Sequence, residues 1–197
     1  MRVAVVLPVR SFSTGKARLA DVLDAATRAD LGKRLASRVR DAAHDLPCYV
    51  VTRDDAVRAW ARATDAAVVD DPGTGLDDAV RAGVDFAIAH GASHIVVAHA
   101  DLPLAHSLGW TAEFDGVTIV TDRRGDGTNV LAFPATLSFD FAYGAGSCAK
   151  HVRAAEAAGA RVRVVAEDDL SWDIDEPADL EALGPGFALP PLERKPL

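Results

Sequence analysis

Short runs of apolar, partly β-branched residues alternate along this chain with longer stretches in which apolar positions recur every three or four residues. Val3 to Leu7, Tyr49 to Thr52, Ala67 to Val69, Ile95 to Ala98, Val117 to Thr121, Val130 to Phe133 and Val162 to Val165 read as strands. The run Ile95 to Ala98 is continuously apolar, as in a strand buried on both faces of a parallel sheet. Leu31, Leu35 and Val39 predict an amphipathic helix that ends before Pro47, and Val57, Trp60 and Ala61 a second. Leu76, Ala79, Val80, Gly83, Val84, Ala87 and Ile88 give the clearest helical face, with Thr74 placed to cap it and Gly91 to end it. Ala149, Val152 and Ala155 predict another helix ending near Gly159, and Pro177 suits the first turn of a short last one. Strands alternating with helices predict an α/β domain of three layers around a mostly parallel sheet. It is expected as one domain over residues 1–183, followed by a proline-rich, loosely held tail at 184–197.

Composition narrows the class. A chain of 197 residues, 49% of them hydrophobic, can bury a proper core. No apolar run approaches the roughly 20 residues that span a bilayer, so a soluble, cytoplasmic protein without a membrane partner is expected. Cys48 and Cys148 lie far apart without a C-x-x-C pairing and are expected to be buried thiols. A net charge of -8 argues against a broad nucleic-acid surface but leaves room for a local phosphate pocket, the more so where magnesium mediates the contact.

The chemistry sits where apolar runs end. Asp101 follows the strand Ile95 to Ala98, at the edge where open α/β sheets bind ligands, though a turn aspartate ahead of Pro103 reads equally well from this run alone. Lys16 and Arg18 stand beside a Ser/Thr/Gly-rich turn after the first strand, chemistry that can hold a polyphosphate or form a solvated basic loop; no P-loop or G-x-G-x-x-G pattern is present. Gly144-Ala145-Gly146-Ser147 opens a helix as an anion site or as a plain turn with Ser147 as cap. In an extended segment Asp173 and Asp175 share one side and could face one metal, while Asp175 or Glu176 could equally cap the helix at Pro177.

Taken together and in order, Pro8-Val9-Arg10 through Lys16-Ala17-Arg18-Leu19-Ala20, Ala100-Asp101-Leu102-Pro103-Leu104, Gly127-Thr128-Asn129, Gly144-Ala145-Gly146-Ser147 and Asp173-Ile174-Asp175-Glu176-Pro177 are more specific than any one of them. The chain resembles the phosphoenolpyruvate / 2-phospho-L-lactate guanylyltransferases of deazaflavin-coenzyme biosynthesis, from about Val3 to Leu180. The resemblance implies a glycosyltransferase-A-like, Rossmann-like nucleotidyltransferase that uses GTP and Mg2+. It implies metal on Asp101 and on Asp173 or Asp175, and GTP held by Pro8, Arg10 and Gly75, with Lys16 and Arg18 on the triphosphate. Lys16, Arg18 and Asp101 would form the catalytic set, and Thr128, Gly144 and Ser147 would hold the phosphorylated acid. Four positions depart from the family pattern: Asp77 stands where G-L-N has asparagine, Tyr143 and Ala145 replace the phenylalanine and proline of F-G-P-G-S, and Arg10 replaces a common lysine. An already ionised acceptor phosphate needs no general base, so His99 is read as structural and His151 as an acceptor-side contact.

Phosphoenolpyruvate is the acceptor expected, on a composition that looks bacterial; 2-phospho-L-lactate and 3-phosphoglycerate are the alternatives. A related transferase acting on a molybdopterin or sugar phosphate is disfavoured by the missing L-x-G-G loop. The reading from another class is a catalytically silent GTP-binding regulatory protein, and the oligomeric state is left open.

Overall fold

A computed structural model describes residues 1–183; the predicted tail at 184–197 lies outside the described residues. Seven strands, β1 (Val3–Pro8), β2 (Cys48–Thr52), β3 (Ala67–Asp70), β4 (His94–Ala98), β5 (Val117–Thr121), β6 (Thr128–Pro134) and β7 (Val162–Val165), form one sheet in the order β3-β2-β1-β4-β6-β5-β7. The helices are α1 (Ala25–Asp41), α2 (Asp55–Ala63), α3 (Leu76–Ala89), α4 (Ser147–Ala157), α5 (Asp168–Ser171) and α6 (Pro177–Ala182). Single 3₁₀ turns stand at Ala17–Leu19 and Gly109–Ala112.

The period-two alternation of the strands divides the core between the two faces of the sheet. Val5, Leu7, Val50, Val96 and Ala98 face α1 and α2, meeting Ala36, Val39, Val57 and Trp60. Ala4, Val6, Val51, Ile95 and Val97 face α3 and α4, meeting Val80, Val84, Cys148 and Ala155. Both cysteines are buried and free. Among the described residues no helix is long and apolar enough to cross a membrane.

Most pairings are parallel, as predicted, but β6 runs antiparallel to both of its neighbours, β4 and β5. That reversal brings the first residue of β6, Thr128, to the same edge at which β1 and β4 end. The chain crosses from β3 at one border of the sheet to β4 beside β1, and the crevice this leaves between neighbouring strand ends is where ligands bind in such sheets.

A third apolar cluster lies outside the two faces: Leu19, Leu23, Leu31, Leu35 and Ile174, with Trp172 and Leu180 packed on it. It ties the loop after β1 to the segment after α5, which are more than 150 residues apart in sequence.

Two predicted caps are corrected. The N-cap of α3 is Gly75 rather than Thr74, and that of α4 is Gly146 rather than Ser147; neither helix has a side-chain cap. The Gly75 φ of 140° favours a residue without a Cβ. Asp24 and Asp54, by contrast, cap α1 and α2 through their side chains on the amides of Thr27 and Val57.

At Gly83, in the middle of α3, a Cβ would stand 2.5 Å from Val6 Cγ1 and 2.6 Å from Val51 Cγ2, so the helix rests directly on β1 and β2. Gly83→Ala would gain about 1 kcal/mol in helix propensity and lose about 1–3 kcal/mol to overpacking. A net loss of stability is therefore expected in urea unfolding, and a stabilised variant would show that the contact yields.

Candidate active site

The Lys16 and Asp101 side chains meet at the ends of β1 and β4. Lys16 Nζ stands 2.6 Å from Asp101 Oδ2 and 3.3 Å from Asp175 Oδ1. Lys16 reaches them from a left-handed backbone, φ 56° and ψ 38°, a conformation that costs a residue with a Cβ roughly 1–2 kcal/mol. Leu19, three residues on, fixes the loop by burying itself beside Ile174. Ile174 in turn points into that cluster, so Asp173 and Asp175 on either side of it are turned the other way. Its backbone N–H donates to the carbonyl of Asp101 at 3.3 Å, which joins the late D-x-D segment to the end of β4.

That segment is held from behind as well. Asp179 Oδ2 accepts the N–H groups of Asp175 at 2.9 Å and Glu176 at 2.7 Å, closing a capping box on α6 with Glu176 as N-cap. The Arg123 guanidinium pairs with Asp179 and lies over the Trp172 ring, 3.9 Å from its centroid. Arg18, largely exposed, sits 3.9 Å from Asp175 Oδ2 and 3.7 Å from Glu176 Oε1.

The electrostatics of the cluster are uneven. Burial would raise the Asp101 carboxyl, but the Lys16 ammonium beside it, the His99 ring and the hydrogen bonds it accepts together outweigh burial and hold it below the usual range. Lys16 is raised for the converse reason: burial would lower it, and the charges of Asp101 and Asp175 more than offset that. Asp173 is pushed up, first by burial and then by repulsion from Asp101 and Asp175. Asp101 Oδ1 is buried without a partner among the described residues. Among the described residues no three His, Cys, Asp or Glu side chains form a ready-made metal cage.

Beside this cluster, above the ends of β1, β2 and β3, opens a cleft of about 670 Å³. Pro8, Arg10 and Gly75 line it, together with Ser11, Arg53 and Asp71. Leu76 leaves its apolar side chain exposed at this wall, unlike the buried members of the α3 face. Ile88 at the other end of that predicted face is exposed too.

On the far side of Asp101, Thr128 is buried and its Oγ1 lies 3.0 Å from His151 Nδ1. The N–H of Ala142 donates to His151 Nε2 at 3.0 Å, so the neutral ring carries its proton on Nδ1 and donates it to Thr128. The hydroxyl proton of Thr128 is thereby left for another acceptor. His151, read from the sequence as an acceptor-side contact, is fully buried, and its hydrogen bond towards the site runs to Thr128. The G-x-G-S turn, read from the sequence as an anion site or a plain turn, has two of its amides and that of Cys148 engaged within the protein. Gly146 N–H donates to Asp126 Oδ2 at 2.9 Å, Cys148 N–H to the Asp126 carbonyl at 3.0 Å, and Ser147 N–H to the Gly144 carbonyl at 3.0 Å. Asp77 is engaged here as well, accepting the N–H of Tyr143 at 2.8 Å.

Burial lowers the His151 pKa from 6.5 to about 4. The unfolded chain therefore binds the extra proton first, and stability falls as pH drops from 6.5 towards 4. The contribution is about 3 kcal/mol on the linkage relation. Urea unfolding at pH 7 and pH 4.5 is expected to show a smaller acid loss in His151→Asn, which offers an N–H near the Nδ1 position and does not titrate. Equal losses in the two proteins would refute it.

The sequence motifs thus fall into three adjoining groups: Lys16, Arg18, Asp101, Asp173 and Asp175; Pro8, Arg10 and Gly75; and Thr128, Gly144 and Ser147. Sequence reasoning passed over Arg53 and Asp71 at the ends of β2 and β3, Asp126 under the glycine turn, and the Arg123–Asp179–Trp172 clamp. Position just after a strand was the available signal for the first two. The others are side chains paired across long sequence distances.

The family described as "Guanylyl transferase CofC like" matches residues 3–184. A phosphoenolpyruvate guanylyltransferase from Sphaerobacter thermophilus is 33% identical over 198 residues, covering 93% of each chain. One from Rubrobacter xylanophilus is 34% identical over 192 residues, covering 93% of this chain and 94% of that one. Relatives named for other acceptors also match: a 3-phospho-D-glycerate guanylyltransferase from Phenylobacterium zucineum at 32% identity (88% of this chain, 86% of that one), and a 2-phospho-L-lactate guanylyltransferase from Methanocaldococcus fervens at 27% (89% and 82%). Among solved structures, a protein provisionally described as a nucleotide-diphospho-sugar transferase from Desulfovibrio desulfuricans superposes with a TM-score of 0.73 at 14% identity, covering 92% of this chain and 86% of that one. A 4-diphosphocytidyl-2C-methyl-D-erythritol synthase gives 0.60 at 15% identity, covering 92% and 96%. A glucosyl-3-phosphoglycerate synthase from Mycobacterium tuberculosis, solved with Mg2+ and uridine-diphosphate, gives 0.53 at 16% identity, covering 92% and 74%. These structures show the shared nucleotidyltransferase and glycosyltransferase-A-like fold.

Proposed function

The chain belongs to the CofC-like guanylyl transferase family, and from that premise we propose that it transfers GMP from GTP to the phosphate of phosphoenolpyruvate, releasing pyrophosphate. The observation that carries this reading is the Lys16 ammonium set between Asp101 and Asp175, beside a nucleotide-sized cleft on one hand and the Thr128 hydroxyl on the other.

A phosphate oxygen of the acceptor attacks the α-phosphorus of GTP in line. The bond from that phosphorus to the β-phosphate oxygen breaks, its electron pair leaves on pyrophosphate, and a pyrophosphate-bridged guanylyl product remains. Both reactants are anions, so the work lies in neutralising charge and fixing geometry. Lys16 and Arg18 contact the triphosphate, while Pro8, Arg10 and Gly75 border the nucleoside. Thr128 offers its free hydroxyl proton to the acceptor, with Gly144 and Ser147 beside it. No residue is asked to remove a proton.

The carboxylates fit magnesium. Asp101 Oδ1 is a buried oxygen without a partner among the described residues, and the repulsion that adds to burial in raising Asp173 is what a cation relieves. Asp101 with Asp173 or Asp175 would hold the ion through carboxylate oxygens, the ligand type magnesium prefers. When bound, it supplies charge neutralisation at the phosphates.

Phosphoenolpyruvate is favoured over 2-phospho-L-lactate and 3-phosphoglycerate because relatives at 33% and 34% identity over 93% of the chain carry that name, against 32% over 88% for the 3-phospho-D-glycerate enzyme and 27% for the 2-phospho-L-lactate enzyme. All three acids present a phosphate and a carboxylate, one carbon further apart in 3-phosphoglycerate than in the other two, so modest pocket changes could decide among them. The deciding measurement is pyrophosphate release by the purified protein with GTP, magnesium and each acid in turn. Release only with phosphoenolpyruvate is expected. Release with another acid would correct the acceptor, and none with any, from folded protein, would overturn the reading.

A further inference from the structure

We propose that Asp71 selects guanine, through the carboxylate oxygen it leaves free in the cleft above β1, β2 and β3; the assignment rests on the GTP reading above. Asp77, at the start of α3, is spent on the Tyr143 amide and does not line the cleft. Two carboxylates do line it, Asp54 and Asp71. Asp54 has no oxygen to spare: Oδ1 accepts the Val57 N–H at 3.0 Å and Oδ2 the Ser11 hydroxyl at 2.8 Å. Asp71 commits only Oδ1, to the N–H of Gly73 at 2.7 Å, and among the described residues Oδ2 has no partner. The bond to Gly73 fixes the carboxylate before any ligand arrives, so little side-chain freedom is lost on binding.

The surroundings suit a purine. Gly73 has φ +81°, and a Cβ there would collide with the Arg53 guanidinium, which therefore lies across the same loop as a donor beside the acceptor. Exposed Leu76 offers an apolar surface for the plane of a base.

Of the common bases, guanine alone presents a ring N–H and an amino group side by side on its pairing edge, and the free Asp71 Oδ2, with two lone pairs, can accept from both. Adenine and cytosine put a bare ring nitrogen at that place, which a carboxylate repels. Uracil sets a carbonyl on each side of its N–H.

The test is equilibrium binding of guanosine, inosine and xanthosine triphosphates with magnesium and no acceptor, to wild type, Asp71→Asn and Asp71→Ala, each checked for folding by circular dichroism. Inosine lacks the amino group, so wild type is expected to bind its triphosphate about tenfold more weakly than GTP. Xanthosine turns a carbonyl towards the carboxylate and should bind weakest of the three. Asp71→Asn can donate to that carbonyl and is expected to prefer xanthosine triphosphate to GTP, while Asp71→Ala should bind GTP and inosine triphosphate alike. Equal wild-type affinity for GTP and inosine triphosphate would overturn the assignment, as would wild-type ratios in a folded variant; the wild-type comparison holds even if the asparagine variant does not fold. If these ratios hold while no acid elicits pyrophosphate release, the selector stands and the guanylyltransferase reading falls. If release is seen but the ratios ignore Asp71, the reverse is true.

Discussion

Asp101→Asn is expected to abolish pyrophosphate release, lowering kcat/KM by at least about a thousandfold, the scale on which removing one preorganised charge from a phosphoryl site acts. Two oxygens make the case. Oδ2 holds the Lys16 ammonium at 2.6 Å, and Oδ1 is buried with no partner among the described residues, the place where a cation would be gained. An amide keeps the volume but presents a neutral face, so Lys16 and any bound magnesium lose their common anion. The fold is expected to survive. Asp101 lies at the end of β4 rather than within either apolar face, and losing its charge also relieves the repulsion that adds to burial in raising Asp173. Steady-state kinetics beside thermal unfolding checks both halves. A well-folded variant that retains activity would remove Asp101 from the centre of the reaction.

Lys16→Met is expected to cost about a hundredfold to a thousandfold in kcat/KM and about 1–2 kcal/mol in stability. Methionine keeps the apolar stem and removes the cation, leaving Asp101, Asp173 and Asp175 to repel one another. The stability figure is set well under that of a fully buried pair because the Asp175 side chain is half exposed and screened by solvent. Lys16→Arg should recover part of the stability but little of the rate: a planar guanidinium cannot take the place of a compact ammonium between two carboxylates. Kinetics with urea unfolding of both variants provides the check, and a Lys16→Met protein within a few-fold of wild-type kcat/KM would remove Lys16 from the reaction.

Much of the fold was legible because burial leaves a periodic trace. The face of α3 was read from spacing, and its central members Ala79, Val80, Gly83, Val84 and Ala87 are buried. The ends misled: Leu76 and Ile88 continue the period but lie beyond what the sheet covers. The caps were misassigned for a different reason. Thr74 and Ser147 are good capping residues by type, but Gly75 and Gly146 hold the positive φ at which those helices begin, and φ is set by how the chain arrives from the preceding turn. The motif residues of the candidate site were read as residue types just beyond strand ends. Their partners were not, since Asp126 serves an amide 20 residues away and Arg123 and Asp179 meet across 56.

What the sequence determined by itself is the set of elements, the two-faced core and the chemical types gathered at the strand ends, all of which follow from local spacing and side-chain chemistry. What only the tertiary structure decided is direction and pairing. The reversal of β6 brings Thr128 to the edge where β1 and β4 end, the packing of Leu19 on Ile174 joins Lys16 to Asp175, and burial of His151 turns a suspected contact into a support for Thr128. Such outcomes depend on apolar groups from distant segments sharing one interior and on buried donors finding acceptors there, and neither leaves a local pattern along the chain.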